Sequence, residues 1–194
     1  MEKKSVMTID ESGRLTPARI INSPFFDERP NGCPIDTIVL HNISLPPRQF
    51  GTEAIDALFT GTLPAERHPF FAEIAHLRVC AHFLIDRRGA ITQYVSTLKR
   101  AWHAGRSVFL GTENCNDFSV GIELNGCDDI PYTWQQYCAC ADLIDALMRR
   151  HPAISKERIT THQHIAPDRK TDPGAAFHYP TLMRLLARVQ KSSS

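Results

Sequence analysis

Apolar residues along this chain fall into four short runs rich in branched side chains and three amphipathic stretches, separated by loops dense in proline and glycine. Thr37–His41 is a short branched run that predicts a buried strand ending on a histidine. Ala81–Asp86 predicts a second strand. Arg87, Arg88 and Gly89 form a turn into Ala90–Val95, so this pair predicts a β-hairpin. Phe118–Leu124 predicts a third central strand, and Arg158–His162 a last short strand or extended segment.

Glu53–Phe59 predicts a short helix with Ile55, Leu58 and Phe59 facing inward. The most regular helical pattern begins at Thr133, where Thr133 and Gln136 have the spacing of a capping box. Tyr137, Cys140, Ala141, Ile144, Leu147 and Met148 then recur on one face. Arg149, Arg150, His151 and Pro152 close it with cations suited to a helix C-terminus and then a breaker. A final helix is predicted from about Tyr179 to Val189, with Leu182, Leu185, Leu186 and Val189 on one side. The segments 42–51 and 61–71 are expected to be loops. Residues 1–22 are expected to form an arm over a core of about 23–189. The sum is one α/β domain over 1–194, a central mixed β-sheet flanked by α-helices.

Composition narrows the function classes. With 42% apolar and 22% charged residues, the chain is expected to fold as an ordinary globular protein. A net charge of +1, from 22 basic and 21 acidic residues, supplies no electrostatic footprint for nucleic acid or an anionic membrane. The amino terminus lacks the apolar run of a signal peptide, and no stretch approaches the roughly 20 apolar residues of a membrane span. A cytoplasmic location is therefore expected, and the six cysteines, with no Cys-x-x-Cys pair, are expected to be reduced thiols. Cys138 and Cys140, two apart on a helix, point to different faces and are not expected to share a metal.

Chemistry concentrates in Thr160–Gly174. Two histidines, two aspartates and two cations sit there between Pro167 and Pro173, which bar a helix interior and predict a loop holding polar side chains in fixed directions. His162 and Asp172, with His41 from its strand end, have the makings of a three-ligand zinc site with a fourth position for water. Spacing lends this little support, because His-Glu-x-x-His is absent and a structural histidine remains an alternative for His41. Glu123 is the candidate general base, being poorly placed for a solubilising charge, though an ion-paired edge residue is equally compatible. Lys170 or Arg169 offers a cation for an oxyanion, against the alternative of a solvated loop charge. His68, His151 and His178 read as surface or cap histidines.

Taken together, six blocks carry a resemblance. They are Val39–Pro47, Ile55–Gly61, Ala75–His82, Arg100–Gly105, Cys115–Leu124 and His164–Gly174. In this order and spacing, over about Ser23 to Leu186, the chain resembles the AmpD-type N-acetylmuramoyl-L-alanine amidases. The resemblance implies a peptidoglycan-recognition/amidase-like fold and zinc as cofactor. Its activity would be hydrolysis of the amide between N-acetylmuramic acid, in the 1,6-anhydro form, and L-alanine during cytosolic peptidoglycan recycling. It further implies His41, His162 and Asp172 as metal ligands, and Glu123 and Lys170 as catalytic residues. Asn42 and Arg78 would contact the muropeptide, and Trp102 would wall the sugar site. His82 and His103 lie in matching motifs without being taken as ligands. Asn114 stands where the family often carries a basic residue, which implies a looser grip on the stem peptide or one through a neighbour. The expected partner is a small muropeptide, with no nucleic acid or membrane, and the chain is expected to be a monomer. Two alternatives stand beside this reading: an amidase acting on intact peptidoglycan, of autolysin or endolysin type, and a non-catalytic peptidoglycan-binding module.

Overall fold

In the computed structural model, which describes residues 6–193, six strands form one mixed sheet. They are β1 (Arg19–Ile20), β2 (Thr37–Ile43), β3 (Phe83–Ile85), β4 (Ile91–Gln93), β5 (Ser119–Asn125) and β6 (Ile159–Thr161). The spatial order is β6-β2-β5-β3-β4-β1. Three neighbouring pairs, β6–β2, β2–β5 and β5–β3, are parallel, as is the edge pair β4–β1. The β3–β4 hairpin alone is antiparallel. The four strands expected from the apolar runs are all in this sheet. The edge strand β1 and the core residue Leu15 come from the segment expected to be an arm, whose first five residues lie outside those described.

Strand periodicity sorts the side chains. Ile38 and Leu40 of β2, Val120, Ile122 and Leu124 of β5, and Phe83 and Ile85 of β3 share one apolar cluster. Helices α3 (Trp134–Arg150) and α5 (Tyr179–Ser193) cover it with Cys140, Ile144, Leu147, Leu182 and Leu186, all fully buried. The intervening positions, Val39, His41, Gly121 and Glu123, therefore belong to the opposite face. Helices α1 (Glu53–Thr60) and α2 (Pro69–Ile74) cover part of that face, where Ile55, Leu58, Phe59 and Phe71 pack with Leu84 and Tyr94. The rest is closed by a third cluster of Val39, Ala104, Phe109, Phe118 and Ile165.

Local chemistry explains where the helices start and stop. Thr133 Oγ1 accepts from the Gln136 backbone N–H at 3.2 Å, and Gln136 Oε1 accepts from the Thr133 N–H at 3.1 Å, the reciprocal capping expected for α3. Gly61 ends α1 in a left-handed conformation, φ +73°, that suits glycine. Helix α2 falls partly in the expected loop 61–71. Pro69 opens it at a position needing no N–H, and the His68 ring caps it by accepting from the Phe70 N–H at 3.1 Å. A one-turn helix, α4 (His162–Ile165), likewise occupies the start of the Thr160–Gly174 loop and ends before Pro167. No disulfide joins the described cysteines, and among the described residues no helix is long and apolar enough to cross a membrane.

The cap on α3 is a single interaction with a measurable weight. Thr133→Ala should cost about 1 kcal/mol and lower the melting temperature by roughly 2–4 °C. Thr133→Ser should restore most of the loss in the same thermal scan.

Candidate functional site

The parallel register of β2 and β5 is the first determinant of the site, because it pairs Glu123 directly with His41. Both side chains rise from the same face near the carboxyl ends of their strands, where open α/β sheets place their ligand crevices. Strand β6 lies on the other side of β2 and delivers His162 at its end, as the first residue of α4. Thr161 fixes that turn through Oγ1, which accepts from the His164 N–H at 3.2 Å. Asp172 returns to the same point through a braced loop. Its carbonyl accepts from the Gln163 N–H at 2.9 Å, and the next carbonyl, of Pro173, accepts from Asn42 Nδ2 at 3.0 Å and Tyr132 OH at 2.8 Å. Gly174, φ +80°, packs so closely against Asp128 that a side chain there would collide with its backbone.

These elements bring three ligand-type atoms together. His41 Nδ1 and His162 Nδ1 are 2.9 Å apart, and Asp172 Oδ2 lies 3.3 Å from the first and 3.0 Å from the second. Four-coordinate zinc bonded to nitrogen and oxygen at about 2.0–2.1 Å separates its ligand atoms by roughly 3.3 Å, so the spacing fits such an ion. The protonation states fit as well. Burial pushes His41 down to about 4, against the opposing pull of Asp172, leaving a neutral ring at physiological pH. Burial works to raise Asp172, but hydrogen bonds to His162 and His41 outweigh it and hold the carboxyl well below the usual carboxylate range. The three residues could therefore hold a metal ion.

The cluster forms part of a cleft of about 350 Å³, lined on its apolar side by Leu45, Leu58, Phe59, Phe70 and Trp102. Glu123 lines it too. Its Oε2 is buried with no hydrogen-bond partner, and burial together with the Asp172 charge drives its carboxyl well above the usual range, with Lys170 opposing. Lys170 is half-buried in the same lining, and Trp102 stacks on Phe25 at a ring separation of 6.3 Å. Asn42 is also in the lining, but both its N–H donors serve the protein, one to Asp128 Oδ1 at 2.8 Å and the other to Pro173. Arg78 is exposed between Leu77 and Val79, which do line the cleft. Asn114 sits apart, in a left-handed conformation beside a second cleft of about 690 Å³ bordered by Arg106, Glu113, His164 and Arg169.

The groups that contact the far nitrogens of the two histidines were not among the candidates. His103 bonds through Nδ1 to His41 Nε2 at 2.9 Å, and the Ala104 carbonyl accepts from His162 Nε2 at 3.2 Å. Both lie in Arg100–Gly105, whose conspicuous Trp-His pair was the available signal. The histidines read as bland take cap or packing roles: His68 caps α2, His151 follows α3 and meets Thr97 Oγ1 at 3.0 Å, and His178 bonds Thr181 at 2.8 Å.

Comparison with known proteins gives this cleft a class. The model of the N-acetylmuramoyl-L-alanine amidase family matches residues 31–175, and the chain belongs to that family. Within it, the chain is 54% identical over 179 residues to the 1,6-anhydro-N-acetylmuramyl-L-alanine amidase AmpD of Salmonella typhimurium strain SL1344, covering 92% of this chain and 95% of that protein. It is equally 54% identical over 178 residues to AmpD of Escherichia coli K12, covering 92% and 97%. The crystal structure of a selenomethionine AmpD derivative superposes with a TM-score of 0.88 at 52% identity, covering 91% of this chain and 98% of that one.

The buried histidines make stability depend on pH. Burial pushes His41 to about 4, His82 to about 3 and His151 to about 4, the last two helped by the charges of Arg29 and Arg150 respectively. Each binds a proton more readily in the unfolded chain, so its contribution is complete above about pH 6.5 and is lost as pH falls toward 4. Glu123, raised by burial, acts in the opposite sense from about pH 4.5 upward and offsets part of that loss. Urea unfolding of the metal-free protein should therefore show stability falling between pH 6.5 and 4, by up to about 1.4 kcal/mol per pH unit for each histidine. His151→Gln, remote from the cleft, should make that slope shallower. An unchanged slope would contradict the assignment for His151.

Proposed function

We propose that the chain is a zinc-dependent amidase of the cytoplasm. Acting as one domain over 1–194, it would hydrolyse the amide between the lactyl group of a muramic acid, in its 1,6-anhydro form, and L-alanine of a muropeptide. The observation that carries this reading is the convergence of His41, His162 and Asp172 beside a buried, partnerless Glu123 in one cleft. Membership of the amidase family, and the activity named for relatives at 54% identity, supply the bond.

In this reading His41 Nδ1, His162 Nδ1 and Asp172 Oδ2 would hold the ion. Zinc held there would supply Lewis-acid polarisation of a carbonyl and a lowered water pKa, toward roughly 7. Glu123 acts as the general base. It takes a proton from the attacking water and passes it to the leaving amine. Lys170 presents its ammonium to the oxygen that gains charge as the tetrahedral centre forms. Trp102 offers an aromatic wall to the sugar. Asn42, already braced by Asp128 and Pro173, presents its carbonyl oxygen to the substrate, and Arg78 reaches it from the rim.

Removal of zinc by a chelator should abolish hydrolysis of an anhydromuropeptide, and zinc should restore it. Activity indifferent to chelation would overturn the metal assignment. Anhydromuropeptides should be cleaved in preference to intact sacculi; the reverse preference would make this a wall-degrading amidase. Glu123→Ala should keep one zinc per chain while turnover drops on the order of 10²–10⁴-fold. For Asp172→Ala the first change should be in metal content, measured by elemental analysis; full stoichiometry would remove it from the ligand set.

A further inference from the structure

We propose that Arg169 is a positioning residue for Lys170. Its guanidinium staples the loop that carries Lys170 to the Trp102–Arg106 wall, and it is not itself a cation for the reacting oxygen. The role in turnover rests on the amidase reading, whereas the staple is a property of the fold alone.

Residues 169 and 170 are adjacent cations with different surroundings. After α4 the chain turns tightly, and the backbone N–H groups of Arg169 and Lys170 both reach the Ala166 carbonyl, at 3.2 and 3.0 Å. The turn sends the two side chains to different sides. Lys170 lines the cleft of about 350 Å³ together with Glu123 and Asp172. Arg169 lines the second cleft, of about 690 Å³.

The donors of Arg169 are occupied by backbone. Nε and Nη2 donate to the Arg106 carbonyl at 3.0 and 2.7 Å, and Nη2 donates also to the Ala104 carbonyl. Carbonyls can only accept, and arginine keeps its charge in proteins, so these are charge-assisted hydrogen bonds with one possible direction. Gly105, between the two acceptors, has φ +55°, a left-handed conformation that suits glycine. A side-chain carbon there would lie only 3.0 Å from Arg169 Nη2. The Ala104–Arg106 turn is thus shaped to present two carbonyls to one planar fork, which the single ammonium of a lysine does not reproduce.

The wall that Arg169 grips is itself fixed. Asn116 Oδ1 accepts from the His103 and Ala104 N–H groups at 3.1 and 2.7 Å, and the Trp102 carbonyl accepts from the Cys80 N–H at 3.1 Å. The far end of the loop is anchored separately, through the contacts of Asp172 and Pro173 to Gln163, Asn42 and Tyr132. Between these anchors Arg169 ties the middle of the loop to the wall. A cation stabilises a developing charge best when it is held in place before that charge forms. Lys170 has a long flexible side chain on an irregular loop, so its placement depends on the backbone that Arg169 holds.

The test measures turnover of an anhydromuropeptide by the zinc-loaded enzyme, and amide hydrogen exchange of the metal-free protein. Arg169→Met keeps the aliphatic stem and removes the fork. It should lower kcat by about 10–100-fold with little change in KM, while zinc stays at one per chain. Exchange should quicken over residues 104–106 and 166–171 but not over 119–125. Lys170→Met should lower kcat by about 10²–10³-fold, and adding Arg169→Met to it should cost no further activity, because the staple acts through the lysine. Arg169→Lys keeps the charge and should recover only part of the loss; full recovery would show that charge suffices and overturn the staple. A double variant slower than Lys170→Met by the whole factor of Arg169→Met would overturn it too. So would a raised KM at unaltered kcat, which would make Arg169 a substrate contact. If Arg169→Met does not fold, Arg169→Lys supplies the same comparisons. Full activity in Lys170→Met would strike the oxyanion role in the amidase reading, and with it the role of Arg169 in turnover. Unchanged exchange in the Arg169 variant would strike the staple itself, so the two failures are read apart.

Discussion

The pairing of Thr37–Ile43 with Ser119–Asn125 is the constraint from which the site follows. Both strands are buried along most of their length, and their side chains alternate between the α3/α5 core and the opposite, partly open face. Ile38, Leu40, Ile122 and Leu124 need the core, so His41 and Glu123 are turned to the other side. A one-residue slip would drive an imidazole and a carboxyl into an apolar layer, at a cost of several kcal/mol each unless they were neutralised or paired. The core therefore enforces the register, and the register sets Glu123 beside His41. Stability and chemistry here depend on the same backbone pairing.

The remaining parts of the cleft are held by polar contacts outside the sheet. Asp172 sits in a loop tied to α4 by Gln163, to β2 by Asn42 and to the segment after β5 by Tyr132. Those ties turn an exposed connection into a rigid arm that aims one carboxylate oxygen at two ring nitrogens. The local electrostatics are consistent with a site for a cation. Ring nitrogens of His41 and His162 and an ionised Asp172 carboxylate converge at one point, and the neighbouring Glu123 is pushed toward its protonated form by burial and by Asp172. A positive charge at that point would relieve both effects, as it would favour every ionised oxygen around it.

Much of the frame was legible in the residues. The runs at 37–41, 81–86, 90–95 and 118–124 each hold a strand, Ile55, Leu58 and Phe59 are buried, and the Thr133–Gln136 box caps α3 as its spacing predicts. Helices α2 and α4 were not legible, because four to six residues cannot show a helical period and an isolated helix of that length is unstable. They persist through caps from His68 and Thr161 and through the packing of Phe71 and Ile165. Strand β1 was hidden for the same reason, since two residues have no pattern and only the edge of β4 makes them a strand.

The candidate residues show the same division. Residue type and motif order were enough to nominate His41, His162, Asp172, Glu123, Lys170, Asn42, Arg78 and Trp102, because the chemistry a side chain can perform is a property of that side chain alone. Which of them meet was decided by the tertiary structure. His41 and His162 are 121 positions apart in the chain and 2.9 Å apart in space. The sequence by itself determined the strands, the long helices and the inventory of reactive groups, all of which depend on residues near one another in the chain. Only the fold decided that Arg78 lies at the rim, that the Asn42 donors brace a loop, and that His103, in an irregular link, faces His41 over a strand glycine. Each of these depends on partners brought together by non-local pairing, and no local pattern of residues encodes a distance of that kind.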